Sequence, residues 1–443
     1  MQRTYIKNLS EHIGADVLIK CWVSVRRDQG KMIFFDFRDM SGTVQGVVLP
    51  ASEAMEAGKE VRNEYVVAVY GVVNKRPEKN TQAGKQNGDI ELEIKKIEII
   101  SVAQDLPFEL ETETHLETLL DHRPYTIRGQ RGRDIFTLQA VIVESYRKAL
   151  QARDFTEFQA PALVGGDAEG GAAVFRVDYF NGSSANLATS PQFYKQIMVA
   201  PFERAFTIAK IFRAEKSATT RHLSELTQMD FEMGFIDDER EVMQVLADVI
   251  RDVVTAVSSH ADIFERFNTT LPLAPETFPT FTLREAQEII KREFGRDQSS
   301  EDDMSPEDER QICEWALREH GSDFVFITRF PTNVRAFYTY EDPAETPYSR
   351  GFDLLFRGLE INSGSQRIHN YDEMLTRMHM RELDPLRYAF YLQTFKYGMP
   401  PHGGSSTGLE RLTARMLELP NVKEASAFPR DMTRIDTRIS EEM

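Results

Sequence analysis

Residues Ile211–Phe235 read IFRAEKSATTRHLSELTQMDFEMGF, and this stretch decides the architecture of most of the chain. A β-branched and aromatic run ends at Phe212. A polar loop follows with Arg213, Glu215, Arg221 and His222, and a second run returns through Thr227-Gln228-Met229-Asp230-Phe231-Glu232. Two strand-forming runs around a polar loop predict an antiparallel hairpin. Side chains alternate along a strand, so Asp230 and Glu232 share a face. Acids are rarely buried unless paired, so that face either meets solvent through surface ion pairs or belongs to a site.

Outward from the hairpin, helical and strand-like segments mix without βαβ regularity. Asp134 stands as a cap before Ile135, Leu138, Ile142, Tyr146 and Ala149, which share one helical face. Val242, Val245, Leu246, Val249, Ile250 and Val253 mark a second amphipathic helix, and LREAQEIIKREF from Leu283 a third. Arg204–Phe212, Thr227–Phe235, Phe324–Thr328, Gly351–Phe356 and Glu360–Asn362 read as strands. The pattern predicts an α+β domain on an antiparallel sheet flanked by helices. The Gly-rich pieces Val164–Ala172 and Pro400–Gly408 each read alone as turns. Asp297–Glu309, with seven acids and no base, reads as a solvated loop in an insertion spanning 283–323.

The first hundred residues differ. Strand-like runs at Val17–Val25, Lys31–Arg38, Thr43–Leu49, Tyr65–Val73 and Ile90–Ile99 flank one Ala/Glu-rich helical segment between the third and fourth. That order predicts a five-stranded OB-fold barrel, an architecture that often binds oligonucleotides. We expect a barrel over 1–103, a polar, proline-punctuated hinge over 104–133 and the larger domain over 134–443.

The net charge of −17 argues weakly against nucleic acid, but it is unevenly spread. Residues 1–100 hold 15 basic and 14 acidic residues, while the rest hold 38 and 56. If the barrel meets RNA, Arg26, Arg27, Lys75, Arg76 and Lys79 are expected on one side of it. Two cysteines, Cys21 and Cys313, exclude a disulfide framework and a multi-cysteine zinc site. No apolar run approaches the roughly 20 residues that span a membrane, and the start lacks a signal-peptide pattern. A cytoplasmic protein is expected.

Walker, HExxH and CxxC patterns are all missing. Instead the polar segments offer Lys195, Arg213, Arg367 and Arg411 against Asp230, Glu232, Asp353 and Glu360. Asp353 and Glu360 lie on two strand-like runs, and such paired carboxylates suit Mg²⁺. The set fits electrostatic handling of a polyphosphate better than nucleophilic catalysis.

These segments resemble the class II aminoacyl-tRNA synthetases, in the aspartyl/asparaginyl/lysyl subgroup and its aspartyl branch above all, over nearly the whole chain. FRAE…RHLSELTQMDFEM resembles motif 2, and GLERL resembles motif 3. The helix from Asp134 into FTEFQAPAL resembles motif 1, with Pro161 as the dimer-interface proline. SPQFYKQ and GLEINSGSQRIH point to aspartate. The resemblance implies activation of aspartate with ATP to aspartyl-adenylate, then transfer to the 3′-terminal adenosine of tRNA(Asp).

Carried over by position, Arg213 and Arg411 would be catalytic, on the α- and γ-phosphates. Glu215, Arg221, His222, Leu226 and Glu360 would complete the ATP site, and Asp353 with Glu360 would hold Mg²⁺. Lys195 and Arg367 would bind the aspartate side chain. Glu169, Gln192 and Asp230 would take its α-amino group, and Ser190 would line the pocket. Arg27, Phe34, Gln45 and Glu91 would read the anticodon, with Phe34 facing outward. A homodimer is implied.

Two positions depart from the family pattern: Leu226 stands where a Phe stacks on adenine, and Ser406 replaces a motif 3 glycine. The Ser406 hydroxymethyl either crowds the nucleotide or tilts away. Two alternatives follow: a non-discriminating enzyme that also charges tRNA(Asn), and a non-catalytic RNA-binding paralogue.

Overall fold

The structure is a computed structural model that describes residues 1–166, 173–216 and 219–438. The chain forms two compact units, Met1–Thr112 and Glu113–Met443.

In the first unit, β1 (Asp16–Asp28), β2 (Ile33–Asp39), β3 (Gly42–Val48), β4 (Val66–Lys75) and β5 (Ile90–Ser101) close a barrel in the order β1-β2-β3-β5-β4. A short helix, Met55–Glu60, lies between β3 and β4 in the chain. Alternation sorts β2 cleanly. Ile33, Phe35 and Phe37 fill the interior, with Phe35 and Phe37 stacked at 5.4 Å, while Phe34 and Asp36 are half-buried on the outside.

In the second unit the strands are β6 (Thr156–Glu157), β7 (Leu163–Val164), β8 (Arg176–Asp178), β9 (Ser184–Leu187), β10 (Arg204–Phe212), β11 (Glu225–Gly234), β12 (Thr280–Thr282), β13 (Phe324–Thr328), β14 (Gly351–Phe356), β15 (Leu359–Arg367) and β16 (His402–Gly408). Eight of them make one sheet, β12-β13-β14-β15-β16-β11-β10-β6, and β7-β9-β8 make a small second one. The six central strands of the large sheet are antiparallel, and only the edge pairs β12–β13 and β10–β6 are parallel. The helices Gln130–Gln151 and Glu239–Val257 contribute Leu138, Ile142, Tyr146, Val242, Leu246 and Ile250 to the core. Met229, Phe231 and Met233 join them from β11. Gln228, Asp230 and Glu232 therefore emerge on the opposite face, as period-two alternation requires.

The structure departs from the sequence reading in four places. The helix expected from Asp134 starts at Gln130. Asp134 is not its cap: it is 4% exposed, inside the helix, and accepts from Arg266 Nε and Nη2 at 2.7 and 2.8 Å. Within the stretch expected as a hinge, Leu116–Asp121 and Arg123–Thr126 are helical and belong to the second unit. The Gly-rich segment at 400–408 is not a turn, because His402–Gly408 is the central strand β16, paired on both sides. A Cβ on Gly404 would lie 2.1 Å from Glu232 Oε2, so a glycine is needed where that carboxylate crosses the strand.

The acidic stretch is the fourth departure. Pro306–His320 is a helix closed by a Ser305/Asp308 capping box, and Asp308 and Glu309 are buried. Asp308 pairs with Arg296 at 3.0 Å. A run of acids stops being a solvated loop once a capping box turns two of them inward to partners.

Candidate active site

A cavity of about 340 Å³ opens over the polar face of the large sheet. At one end its wall includes Ser190, Gln192, Lys195, Arg367 and Ser406. At the other it includes Arg213, Arg221, His222, Leu226, Glu360 and Arg411. The fold thus brings together side chains from β15, β16, the β10–β11 hairpin and the helix Gln192–Phe202. Glu169 lies outside the described residues.

The first end rests on a buried charge cluster. Lys195, in the first turn of the helix Gln192–Phe202, donates to Asp230 Oδ2 at 2.9 Å and to the Ser405 carbonyl at 3.1 Å. Arg367 donates through Nε to Glu232 Oε1 at 2.9 Å and through Nη2 to the Gly404 carbonyl at 2.9 Å. Lys195, Asp230 and Glu232 are 0% exposed, and Arg367 is 4% exposed. Burial works to raise the Glu232 pKa, but Arg367 and Lys195 outweigh it and hold the carboxylate below its usual range. The two cations are therefore matched in charge by Asp230 and Glu232. Glu232 is a site residue that its alternation with Asp230 already flagged. Gln228, two residues earlier on the same face, also reaches the cavity, and its Oε1 has no hydrogen-bond partner among the described residues.

Ser406 lines the cavity and donates to Asp230 Oδ1 at 2.8 Å, which fits the direct register of Asp230 with Ser406. Gln192 donates to Gln196 Oε1 at 2.9 Å, and Tyr391 donates to the same oxygen at 3.0 Å. His402 Nδ1 lies 2.9 Å from the Pro400 carbonyl and so carries the proton, leaving Nε2 to accept from Gln196 Nε2 at 2.8 Å. This chain orients Gln192 from behind.

Burial pushes the His402 pKa down to about 4, against the pull of Glu232. A histidine neutral in the folded state contributes its full stability above pH 6.5 and loses it as pH falls towards 4. Between pH 7.5 and pH 4.5, unfolding titrations of wild type should show about 2–3 kcal/mol more loss of stability than those of His402→Gln. Parallel losses in both proteins would mean that the imidazole is not the group charging.

At the other end, Arg411 Nη1 donates to the Glu360 carbonyl at 3.0 Å and lies 3.5 Å from Glu360 Oε2. Arg213 is half-buried, and its nearest acid is Glu215, at 3.9 Å. Glu215 also lies 3.9 Å from His222 Nε2. Burial, and next Arg411, lower the His222 pKa, so the ring is neutral at neutral pH. Leu226 is half-buried against the core and lines the cavity.

Arg221 donates to Glu309 Oε2 at 3.0 Å and to the Gly358 carbonyl at 3.0 Å. The Glu360 backbone N–H donates to the same Glu309 oxygen at 3.1 Å. Burial raises the Glu309 pKa to about 7. The sequence offered no signal for Glu309 beyond the acidic run that hid it. Glu410 is a further anchor, accepting from the Thr227 N–H at 2.9 Å through Oε2.

Asp353 and Glu360 face a separate small cavity of about 110 Å³. Asp353 Oδ1 pairs with Arg335 Nη2 at 2.9 Å. Burial raises its pKa to about 6, with Arg335 opposing and Glu360 adding to the rise. Two hard carboxylate donors facing one small cavity, with their negative charges close enough to raise the Asp353 pKa, fit a divalent cation. Among the described residues no cluster of three or more His, Cys, Asp or Glu side chains forms a complete ligand set.

On the barrel, Arg27, Phe34, Gln45 and Glu91 share the outer face. Arg27 pairs with Phe34 in register, Asp36 with Gln45, and Asn74 with Glu91. Arg27 is held by Asp36 through two bonds of 2.9 and 2.8 Å, and Arg76 donates to Gln45 at 2.9 Å. The five basic residues expected on one side are divided. Arg26 follows the opposite alternation and donates to the Gly58 carbonyl at 3.1 Å. Pro161 is exposed just beyond the edge strand β6.

The chain is similar to known proteins over most of its length. Residues 115–432 match the family described as tRNA synthetases class II (D, K and N), and residues 17–100 match the OB-fold nucleic acid binding domain. An aspartate–tRNA(Asp/Asn) ligase of Thermus thermophilus is 40% identical over 98% of this chain and 99% of its own length. An aspartate–tRNA(Asp) ligase of Thermoplasma acidophilum is 35% identical over 98% of this chain and all of its own. Among solved structures, asparaginyl-tRNA synthetase from Pyrococcus horikoshii complexed with asparaginyl-adenylate superposes with a TM-score of 0.90. It is 30% identical and covers 98% of this chain and 99% of its own. With a charged cleft on an antiparallel sheet, an OB barrel over its N-terminal residues and a family match over most of its length, the chain belongs to the class II tRNA synthetases of the D, K and N group.

Proposed function

We propose that this enzyme ligates aspartate to tRNA(Asp), by way of aspartyl-adenylate. One observation carries the choice of amino acid: two buried cations, Lys195 and Arg367, reach the same cavity as Arg213 and Arg411. Aspartate brings an ammonium that takes over Asp230, assisted by Gln192 and Glu169, and leaves Lys195 and Arg367 to its side-chain carboxylate beside Ser190. Asparagine supplies the ammonium without the second carboxylate, so the cations gain nothing. Sites built around a polar partner reject analogues that lack it.

In the first step an α-carboxylate oxygen of aspartate attacks the α-phosphorus of ATP, and the bond to the bridging oxygen breaks to release pyrophosphate. Arg213 neutralises charge developing on the α-phosphate, and Arg411 grips the γ-phosphate. Arg221, His222 and Glu215 bound the triphosphate, and Leu226 packs against the adenine. Asp353 and Glu360 would hold Mg²⁺, which when bound supplies Lewis-acid polarisation of the phosphates. In the second step a ribose hydroxyl of the terminal adenosine attacks the acyl carbon and AMP leaves. The residues named act by alignment and charge.

Phe34 offers a stacking surface for an anticodon base, with Arg27, Gln45 and Glu91 at base edges. A homodimer through the region of Pro161 and a cytoplasmic location complete the reading. No helix among the described residues is long and apolar enough to cross a membrane.

A second reading, that tRNA(Asn) is charged as well, is favoured by the Asp/Asn ligases of Thermus thermophilus and Deinococcus radiodurans at 40% and 39% identity. Aminoacylation with aspartate of purified tRNA(Asp) and tRNA(Asn), side by side, separates the readings. Charging of tRNA(Asp) alone is the expected result for the first, and charging of both for the second. RNA binding without adenylate formation would overturn both in favour of a non-catalytic paralogue.

A further inference from the structure

We propose that Glu309, supplied by the helix Pro306–His320 of the mid-chain insertion, is a positioning residue for the triphosphate end of the ATP site. The inference rests on the ATP assignment above. A single buried oxygen, Glu309 Oε2, accepts from Arg221 Nη1 at 3.0 Å and from the Glu360 backbone N–H at 3.1 Å. Arg221 comes from the loop between β10 and β11, and Glu360 from the start of β15. Glu309 thus ties together two walls of the cavity. It is 8% exposed and lies outside the larger cavity; it lines the small one beside Asp353 and Glu360, and it reaches the nucleotide site through the two residues it holds, Arg221 and Glu360.

A second observation fixes the helix in place. The β14–β15 turn passes through Arg357 and Gly358 with φ of +47° and +77°. A Cβ on Gly358 would lie 2.8 Å from Arg310 Cγ. The turn therefore packs directly on the residue next to Glu309, and its Gly358 carbonyl accepts the other end of the Arg221 guanidinium at 3.0 Å. An arginine held at both ends by a carboxylate and a carbonyl presents its remaining donors in one orientation. Without the carboxylate, the Arg221 side chain regains rotamer freedom and the Glu360 N–H loses its acceptor.

The test is steady-state ATP–pyrophosphate exchange with Mg²⁺ on the full chain, for wild type, Glu309→Ala and the near-isosteric Glu309→Gln. Glu314→Gln, exposed on the same helix, is the control. The KM for ATP should rise about 10- to 100-fold in Glu309→Ala, as when a partner behind a ligand is removed. Glu309→Gln should show a smaller rise, because its amide oxygen can still accept from Glu360. The KM for aspartate should stay within about twofold of wild type. Calorimetric titration with a non-hydrolysable ATP analogue reads the same loss independently of chemistry, so it decides the matter even if exchange is absent in wild type and the catalytic reading fails. An unchanged ATP KM and analogue affinity in folded Glu309→Gln and Glu309→Ala would overturn the inference. So would an equal rise in both substrates' KM. Should Glu309→Ala not fold, Glu309→Gln decides alone.

Discussion

Arg213→Ala should reduce aspartate-dependent ATP–pyrophosphate exchange by about 10³-fold, in the upper part of the range for loss of one preorganised donor to developing charge. The structure makes this a clean experiment. The Arg213 side chain retains 31% exposure, and its nearest acid, Glu215, lies 3.9 Å away. Its fixed contact is through the backbone, whose N–H donates to the Ser224 carbonyl at 2.9 Å and survives the substitution. Removing the guanidinium should therefore leave the melting temperature within about 1–2 °C of wild type, as for other surface-type changes. The effect should fall on kcat and on kcat/KM together, because the α-phosphate gains charge only in the transition state. Exchange retained in a folded variant would remove Arg213 from the mechanism.

Arg367→Met should have the second large effect, in this case on stability. Arg367 and Glu232 are buried together at 4% and 0% exposure. Deleting one partner of such a pair leaves the other charge uncompensated, at a cost of about 3–5 kcal/mol. The double variant Arg367→Met/Glu232→Gln should recover much of that loss, since the charge left behind is gone. The pH dependence has a defined sign. In the native protein the Glu232 carboxylate is held below its usual range despite burial, chiefly by Arg367 and then by Lys195. Its contribution is present above the unfolded carboxylate pKa and is lost as pH falls through the folded one. In Arg367→Met the largest of those opposing influences is gone, so the folded pKa rises and protonation relieves the strain. The stability gap between variant and wild type should narrow from pH 7 to pH 5, read by denaturant titration at each pH. A gap independent of pH would place the loss in packing and not in the orphaned carboxylate.

Much of this arrangement is legible without coordinates. The alternation Gln228-Met229-Asp230-Phe231-Glu232-Met233 declares a strand with one apolar and one polar face; in the structure the core takes the first, and the second supplies Gln228 to the cavity wall and Asp230 and Glu232 to the buried partners of Lys195 and Arg367. The barrel is equally legible, because Ile33, Phe35 and Phe37 alternate with Phe34 and Asp36. Local reading misled where local chemistry was ambiguous. Small residues at Gly403–Thr407 are read as a turn by composition, yet they form a central strand, because the site needs backbone close to Glu232 and Arg367. Arg26 and Arg27 look like one basic patch, but consecutive residues of a strand face opposite ways.

Which partners meet was decided only by the tertiary fold. Lys195 and Asp230 are 35 residues apart, Arg367 and Glu232 are 135 apart, and Arg221 and Glu309 are 88 apart. Hydrophobic period is a local property, written into every few residues of each element, so strands, helices and their buried faces can be read from the chain directly. A buried charge is stable only beside its counter-charge, and that neighbour is supplied by whichever distant element the sheet order places there. The acidic run at 297–309 carries no local mark that distinguishes Glu309, which enters the core, from Asp303, which does not. Only the packing of its helix beneath the β14–β15 turn makes that distinction.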